Sequence, residues 1–222
     1  MLSLLPALAS TQPLRLLCIG AHSDDIEIGC GGTLMSLLGS SRPVHITWLV
    51  LSALGERGKE ARASAEAILQ GASSYEIVLS EFRDGFFPSQ YEQVKGFIEK
   101  LKQRIDVDVV VTHRLEDRHQ DHRVVAELTW NTWRNQVVFE YEILKYEGDL
   151  GQPNVFVPLT AETARRKADH LTKYFGSQRS KDWFVADNFL SLARLRGIEC
   201  RAPDGFAEGF QGRKLVFSPR AF

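Results

Sequence analysis

The first half of the chain alternates between short apolar runs and longer segments with helical periodicity. Apolar stretches rich in the residues of buried strands occupy residues 14–19, 44–51, 75–79 and 107–112. Segments with helix-forming residues, or with apolar positions three and four apart, occupy residues 33–38, 56–70, 91–104 and 121–135. This order predicts parallel strands joined by right-handed crossovers. We therefore expect an α/β fold, Rossmann-like, with three α/β/α layers and a mostly parallel sheet.

The second half is less regular. Its pattern predicts strands over residues 141–146 and 214–217, and helices over residues 162–174 and 183–195. We find no linker-like composition between the two halves, so we expect a single domain that spans residues 1–222.

Composition narrows the class of protein. The formal net charge is -1 and the basic residues form no long run, which argues against a nucleic-acid partner. The three cysteines, Cys18, Cys30 and Cys200, form no CxxC pair. A chain that does not rely on a disulfide framework is typical of a reducing compartment, so we expect a cytoplasmic protein.

The sequence carries no predicted membrane span, because no stretch approaches the ~18–20 apolar residues that one requires. Residues 1–10 are apolar, but they lack a positively charged leading region. We expect this segment to pack on the domain; an export or anchoring role is the lesser alternative.

The first cluster of polar residues follows the first predicted strand and contains His22, Asp24 and Asp25. Zinc binds imidazole nitrogen and carboxylate oxygen, and a catalytic zinc keeps three protein ligands and an open position. This cluster can supply two ligands and leave one carboxylate as a base. The alternative is that the two aspartates cap the next helix and that His22 is an ordinary histidine.

The second cluster, His119-Gln120-Asp121-His122, follows the fourth predicted strand. His122 can supply a third ligand, His119 can serve proton transfer or charge stabilisation, and Asp121 can orient an imidazole. The alternative is a charged, solvated start of a helix. Because ligands of parallel sheets bind beyond the carboxyl ends of the strands, the predicted fold brings both clusters to one edge.

The pairing of AHSDD at residues 21–25 with HQDH at residues 119–122 resembles the PIG-L/LmbE-like zinc deacetylases. The helix with Arg57 and the turn with Asp84 are also similar to that family, and the resemblance covers roughly residues 14–135. Its usual motifs are (P/A)HPDD and HPDH or HxDH. Here Ser23 and Gln120 stand where proline is common, which affects loop rigidity rather than ligand type. Some relatives carry a tyrosine shortly before the second motif, and residues 116–118 contain none.

The resemblance implies a role for each matching position. His22, Asp25 and His122 would bind Zn²⁺. Asp24 would act as general base on the attacking water, and His119 would stabilise the oxyanion and serve the leaving amine. Further positions with implied roles are Asp121, which would orient His119, and Arg57 and Asp84, which would contact the substrate.

The resulting hypothesis is a zinc-dependent hydrolase that cleaves the acetamide of an N-acetylated amino sugar or glycoconjugate to an amine and acetate. The expected partner is thus a small molecule, and a homo-oligomer is compatible with the family. One alternative is a metal-dependent hydratase of an unsaturated carboxylic acid, as in some relatives. Another is a non-catalytic module that binds a metal or a carbohydrate.

Outside the two clusters, the aromatic and histidine residues are expected to be structural. Trp130 and Trp133 lie three apart on a predicted helix and are expected in the core rather than on a sugar platform. His45, in a strand, and His170, on a helix, are also expected to be structural. The glycines of residues 29–32 do not have dinucleotide-binding spacing, and we expect them to let the backbone approach the metal loop closely.

Overall fold

The fold was analysed in a computed structural model, which describes residues 13–215. The prediction for residues 1–10 lies outside the described residues. In the first half, the expected alternation of strands and helices is present. The elements are β1 (Leu14–His22), α1 (Asp25–Leu38), β2 (Val44–Ser52), α2 (Glu56–Leu69), β3 (Ser74–Leu79), α3 (Tyr91–Arg104), β4 (Val109–His113) and α4 (Gln120–Thr132).

The second half completes the same sheet. Its elements are β5 (Val137–Tyr141), β6 (Val155–Leu159), α5 (Ala161–Tyr174), α6 (Ala186–Cys200) and β7 (Phe206–Gly212). The seven strands lie in the order β3-β2-β1-β4-β5-β7-β6. Strands β1 to β5 are mutually parallel, and β7 runs antiparallel to both β5 and β6. The prediction of a Rossmann-like α/β fold with a mostly parallel sheet is confirmed.

The helices cover both faces of the sheet, because each central strand is apolar on both sides. On one face, Cys18 and Trp48 pack with residues of α1, α2 and α5. On the other face, Leu17 and Val110 pack with residues of α3 and α4. From β1 the chain adds β2 and β3 on one side of the sheet, and it then crosses to add β4 on the other side of β1. Such a switch point opens a crevice at the carboxyl ends of these two strands.

Several predicted elements of the second half were wrong in position. The strand predicted over residues 141–146 ends at Tyr141, and the helix predicted over 183–195 runs over Ala186–Cys200. The closing strand is β7 and not residues 214–217, of which 214 and 215 are irregular and the others are not described. Strands β6 and β7 were missed because Pro158 interrupts one and Gly209 the other. Proline is tolerated on β6 since this strand forms an edge of the sheet.

Helix α1 is kinked at Cys30, whose φ of -144° and ψ of 15° are not helical. A kink frees backbone groups that must find other partners. The buried Glu208 accepts hydrogen bonds from Gly32 N (2.9 Å) and Thr33 N (2.6 Å), and the buried Lys167 donates to Ile28 O (2.6 Å). These two side chains also pair with each other, at 2.5 Å. Residues from β7 and α5 therefore stabilise the break in α1.

Of the helices in residues 13–215, none has both the length and the apolar composition that a membrane crossing requires.

Candidate metal and catalytic centre

The two polar clusters meet in the crevice between β1 and β4. His22 is the last residue of β1, and Asp25 is the first residue of α1. His119 occupies the N-cap position of α4, and His122 lies in its first turn. His22, Asp25 and His122 are all nearly inaccessible to solvent. A strand end and two helix starts thus deliver side chains from distant parts of the chain to one buried point.

The three residues predicted as metal ligands present atoms at closely similar separations. Nδ1 of His22 is 3.1 Å from Nε2 of His122 and 3.3 Å from Oδ2 of Asp25, and Nε2 of His122 is 3.5 Å from Oδ1 of Asp25. Ligand atoms ~2.0–2.1 Å from a tetrahedral zinc ion lie about 3.3 Å from one another. The observed separations of 3.1–3.5 Å are close to this value, and the two that involve Asp25 run to different oxygens of its carboxylate.

Each imidazole of this triangle points its other nitrogen toward carboxylates. Nε2 of His22 lies 3.1 Å from Oδ1 of Asp84 and 3.2 Å from Oδ2 of Asp121, and Nδ1 of His122 lies 3.1 Å from Oδ2 of Asp117. A carboxylate that is hydrogen-bonded to a ligating histidine fixes its tautomer with the lone pair toward the metal. Asp121 makes this bond with His22, whereas Nδ1 of His122 lies near Asp117 without hydrogen-bond geometry. The donor set therefore fits a divalent metal that binds nitrogen and oxygen.

Other combinations of side chains also converge here. Within the described range, three overlapping groups bring ligand atoms within 4.8 Å of one another: His22, His119 and His122; Asp25, His113 and His122; and His22, Asp84 and Asp121. His22 and His122 each occur in two groups, so the centre of the cluster lies between them.

Asp24 lies beside the triangle, and its carboxylate is the one in the first cluster that is not a predicted metal ligand. It occupies the N-cap position of α1 but makes no capping hydrogen bond, in contrast to the capping alternative. Its Oδ1 instead accepts a hydrogen bond from Nη2 of Arg57 at 3.0 Å. Burial raises the pKa of the Asp24 carboxyl, and the positive charge of Arg57 counteracts part of that rise.

His119 is half-buried, and its ring lies 4.8 Å from the ring of His22 and 4.6 Å from that of His122, between centroids. Its Nδ1 accepts the backbone N–H of Asp121 at 3.3 Å. The neutral ring therefore carries its proton on Nε2, which can donate to a bound oxygen atom. Burial, together with the neighbouring His22, lowers the pKa of His119.

Asp121 has a different imidazole partner from the one that its predicted role requires. Its carboxylate lies on His22 and accepts hydrogen bonds from Gly85 N (2.6 Å) and Phe87 N (3.0 Å). The hydrogen bond between Asp121 and His119 is instead donated by the backbone N–H of Asp121 to Nδ1 of His119. The carboxylate therefore ties His22 to the loop that follows β3.

Arg57 and Asp84, the predicted substrate contacts, lie at the mouth of the centre. Nη1 of Arg57 donates to Oδ2 of Asp84 at 2.9 Å, while Nη2 of the same guanidinium holds Asp24. The Asp84 side chain is 51% exposed, so a ligand in the crevice can reach it. The hydrogen bond from His22 lowers the pKa of Asp84 to about 2.

The surroundings shift the pKa values of the two imidazoles of the triangle in opposite directions. Burial lowers the pKa of His122 to about 3, with a further contribution from His113. Burial opposes protonation of His22 as well, but the carboxylates of Asp25, Asp121 and Asp84 outweigh it and raise the pKa of His22 well above its ordinary value. His122 is therefore neutral at pH 7, as a metal ligand must be.

Comparison with known proteins places this geometry in a family. The family model described as PIG-L, GlcNAc-PI de-N-acetylase, matches residues 17–133. The chain belongs to the PIG-L family. Uncharacterized deacetylase YaiS of Escherichia coli (strain K12) is 30% identical over 124 residues, which make up 50% of this chain and 64% of that protein. The chain therefore spans about 64% of the length of this curated relative.

Solved structures share the PIG-L fold over nearly the whole chain. The N,N'-diacetylchitobiose deacetylase from Pyrococcus horikoshii superimposes with a TM-score of 0.67 at 20% identity, covering 94% of this chain and 85% of that one. GalB, the 4-carboxy-2-hydroxymuconate hydratase from Pseudomonas putida KT2440, gives 0.66 at 16% identity, covering 94% and 100%. At these identities the likeness shows the fold alone.

Sequence reasoning missed three residues of this PIG-L site or assigned them no role. Asp117 lies 3.1 Å from His122. His113, at the end of β4, lies 3.2 Å from Asp25, and Tyr141, at the end of β5, lies 3.3 Å from His113. The signal for His113 was available, since it directly follows the fourth predicted strand, residues 107–112, where functional side chains collect. Tyr141 was not accessible to that reasoning, because β5 was predicted four residues too late.

Proposed function

We propose that this protein is a zinc-dependent de-N-acetylase, which hydrolyses the acetamide of an N-acetylated amino sugar or its conjugate to the amine and acetate. Membership of the PIG-L family supports the reaction class, and the deacetylase names of the E. coli relative and of the P. horikoshii structure support it further. The proposed zinc ligands are His22, Asp25 and His122, whose atoms form the triangle described above.

The observation that carries the proposal is the leftover carboxylate of Asp24. A site that only binds a metal has no use for a buried acid next to its ligands. Zinc, when bound, supplies a Lewis acid that activates water and polarises a carbonyl group. Asp24, held by Arg57 at 3.0 Å, is placed to accept the proton of the attacking water.

His119 complements Asp24 in the proposed reaction. Its Nε2–H can donate to the oxygen atom of the amide as negative charge develops there, and one such donor is commonly worth ~3–4 kcal/mol. The same ring is the nearest candidate to serve the departing amine, since histidine exchanges protons near neutral pH. Asp121 acts through His22 in this scheme, because its carboxylate lies 3.2 Å from that imidazole.

Arg57 and Asp84 are the proposed contacts of the sugar. Two nitrogens of the Arg57 guanidinium pair with the carboxylates of Asp24 and Asp84, and Asp84 is half-exposed at the opening of the crevice. A hydroxyl-rich ligand can exchange hydrogen bonds with both groups without leaving a buried charge unpaired. The chitobiose and GlcNAc-PI names of the relatives make an N-acetylglucosamine unit the first substrate to examine.

Cytoplasmic placement and assembly into a homo-oligomer are further proposals. The first is supported by three free and buried cysteines at positions 18, 30 and 200. The second is tested by light scattering of the purified full-length chain.

A hydratase is the second candidate, because GalB has the same fold over its whole length. Both reactions need a metal and a carboxylate base. They differ in product: a deacetylase releases acetate, whereas a hydratase adds water across a carbon–carbon double bond and releases nothing.

The test is metal analysis of the purified protein followed by two assays. The first measures acetate released from N-acetylglucosamine, N,N'-diacetylchitobiose and nucleotide- or lipid-linked N-acetylglucosamine. The second follows the ultraviolet absorbance of unsaturated dicarboxylates. We expect acetate release that zinc supports and that His122→Ala lacks. Absorbance loss without acetate release would identify a hydratase, and zinc binding without either activity would indicate a binding module.

A further inference from the structure

His113 is a buried histidine to which the proposed mechanism assigns no step. It is the last residue of β4 and is fully inaccessible to solvent. Its Nε2 accepts the backbone N–H of Ala21 at 2.9 Å, and it lies 3.2 Å from Oδ2 of Asp25 and 3.3 Å from the hydroxyl of Tyr141. One nitrogen atom therefore contacts three groups around the ligand triangle.

The ring of His113 is stacked on His122, with centroids 3.9 Å apart and planes 20° from parallel. An imidazole binds a metal in the plane of its ring, ~2.0–2.1 Å from the nitrogen. Two nearly parallel planes at this separation do not meet within that distance. An ion in the plane of the His122 ring therefore lies out of the plane of the His113 ring, which makes His113 a poorer ligand for it than His22, whose ring is at 50° to His122.

The tautomer of His113 follows from the Ala21 amide. An amide N–H can only donate, so Nε2 must present its lone pair to it, and the ring proton lies on Nδ1. Nδ1 has no hydrogen-bond partner among residues 13–215. The buried Nδ1–H is therefore left without a hydrogen bond, while Nε2 lies next to the Ala21 amide and Asp25.

We propose that His113 is a positioning residue that holds the metal ligands in register, an inference that rests on the proposed metal centre. Its Nε2 anchors the backbone one residue before His22, its ring backs His122, and it contacts Asp25. Because Nε2 is engaged by Ala21, it does not donate to Asp25, and the carboxylate keeps its electron density for the cation. The backbone before His22 and the ring of His122 therefore both depend on the position of one ring.

The chain offers a matched control in the preceding residue of the same strand. Thr112 is as deeply buried as His113, but successive side chains of a strand point to opposite faces. Its hydroxyl is 3.1 Å from that of Thr129 on α4, away from the ligands. Thr112→Val removes a buried hydrogen bond from β4 without touching the centre.

The experiment measures zinc affinity by competition with a chromophoric chelator, together with the unfolding midpoint of the metal-free protein. His113→Phe keeps the ring and removes the acceptor, and we expect zinc to bind 10- to 100-fold more weakly, as for other residues behind a ligand. His113→Gln restores an acceptor for Ala21 and should recover most of the affinity. Thr112→Val should bind zinc as the wild type does.

Three results would overturn the inference: wild-type affinity in His113→Phe, an equal loss in Thr112→Val, or a His113→Gln variant as weak as His113→Phe. His113→Met removes the same acceptor and replaces the phenylalanine variant if that one does not fold. The zinc titration needs no substrate. A wild-type protein that releases no acetate but follows this affinity pattern would disprove the proposed activity alone.

Discussion

At the scale of single residues, identical side chains are given different chemical states by their surroundings. His22 and His122 share one buried point, yet the carboxylates around His22 raise its pKa and burial lowers that of His122 to about 3. Asp24 and Asp25 are neighbours in sequence, and burial raises the pKa of the first while His122 and other imidazoles, acting against burial, lower that of the second. Separation of pKa values within a pair is how a site divides acid and base roles.

Replacement of Asp24 by asparagine separates metal binding from turnover. The amide keeps the shape and an oxygen for Arg57, so zinc content should remain that of the wild type. The variant cannot accept a proton, and we expect kcat to fall by about 100- to 10,000-fold. Zinc content and acetate release are measured on the same preparation. A rate near that of the wild type would show that another group is the base.

His170 tests how burial of a single histidine affects stability. Burial, with the charges of Lys173 and Arg166, lowers its pKa to about 4, and its Nε2 is 2.7 Å from Oγ of Ser64. The folded state therefore resists protonation that the unfolded chain accepts near pH 6.5. Its contribution to stability is complete above pH 6.5 and is lost as the pH falls toward about 4.

In His170→Gln, the free energy of unfolding should therefore decrease less between pH 7 and pH 5 than in the wild type. Glutamine keeps a polar group near Ser64 but does not titrate. Urea unfolding at the two pH values gives the change in the free energy of unfolding for each protein. Subtraction of one change from the other cancels the contribution of the titrating groups that both proteins share. Parallel pH dependence of the two proteins would contradict the shift.

At the scale of elements, the kinked helix α1 is the part that couples the site to the rest of the fold. Its first residue is Asp25, and its freed backbone groups at the kink are bound by Lys167 and Glu208. Gly29 lets this helix approach β5, because a Cβ there would lie 2.3 Å from the ring of Tyr141. Glycines 29–32 were expected to let the backbone approach the metal loop; at Gly29 the close approach is to the ring of Tyr141.

Gly29→Ala should destabilise the protein by about 1–3 kcal/mol, the usual cost of overpacking a core. Gly31→Ala in the same helix is the control, since its added Cβ would lie 3.7 Å from Cγ of Lys167, at ordinary contact distance. Thermal or urea unfolding of the two variants provides the comparison. Equal stability of both would show that Tyr141 moves aside without cost.

Lys167→Met should cost more, about 3–5 kcal/mol, because it leaves Glu208 buried without its cation. The double variant Lys167→Met/Glu208→Gln removes the unpaired charge while retaining an acceptor for the amides of Gly32 and Thr33. We expect it to be more stable than the single variant in urea unfolding. A double variant that is less stable would place the effect elsewhere than in the unpaired charge.

At the scale of the whole molecule, the order of the strands determines where chemistry occurs. The switch between β2-β1 and β4-β5 opens one crevice, and His22 and the start of α4 lie at its two sides. The late strands β7 and β6 extend the sheet beyond β5, away from that crevice. Their contribution to the site is indirect, through Glu208 of β7 at the kink of α1.

Removal of the metal should lower the stability of the whole domain. A ligand that binds only the folded state stabilises it by RT ln(1 + [L]/Kd), about 2.7 kcal/mol at a free concentration of 100 Kd. We expect the melting temperature to rise on addition of zinc to the chelator-treated protein, and to stay unchanged in His122→Ala. An equal rise in that variant would show that zinc binds outside the proposed triangle.

Local patterns were sufficient for most of the first half of the fold. Central parallel strands are apolar on both faces, so residues 44–51 could be recognised without knowledge of their neighbours, and the structure extends that strand only to Ser52. Trp133, expected in the core, is fully buried. The edge strand β6, with Pro158, has no such signature, because its pairing with β7 is decided by contacts distant in sequence.

The sequence alone determined the order of strands and helices in the first half of the chain and the identity of the clustered histidines and aspartates, because both are local properties of the chain. Only the tertiary structure decided which atoms face one another. It placed Asp121 against His22, brought His113 behind the ligands and supplied Glu208 and Lys167 to the kink of α1. Those contacts join residues far apart in sequence, and they depend on packing distances that no local pattern encodes.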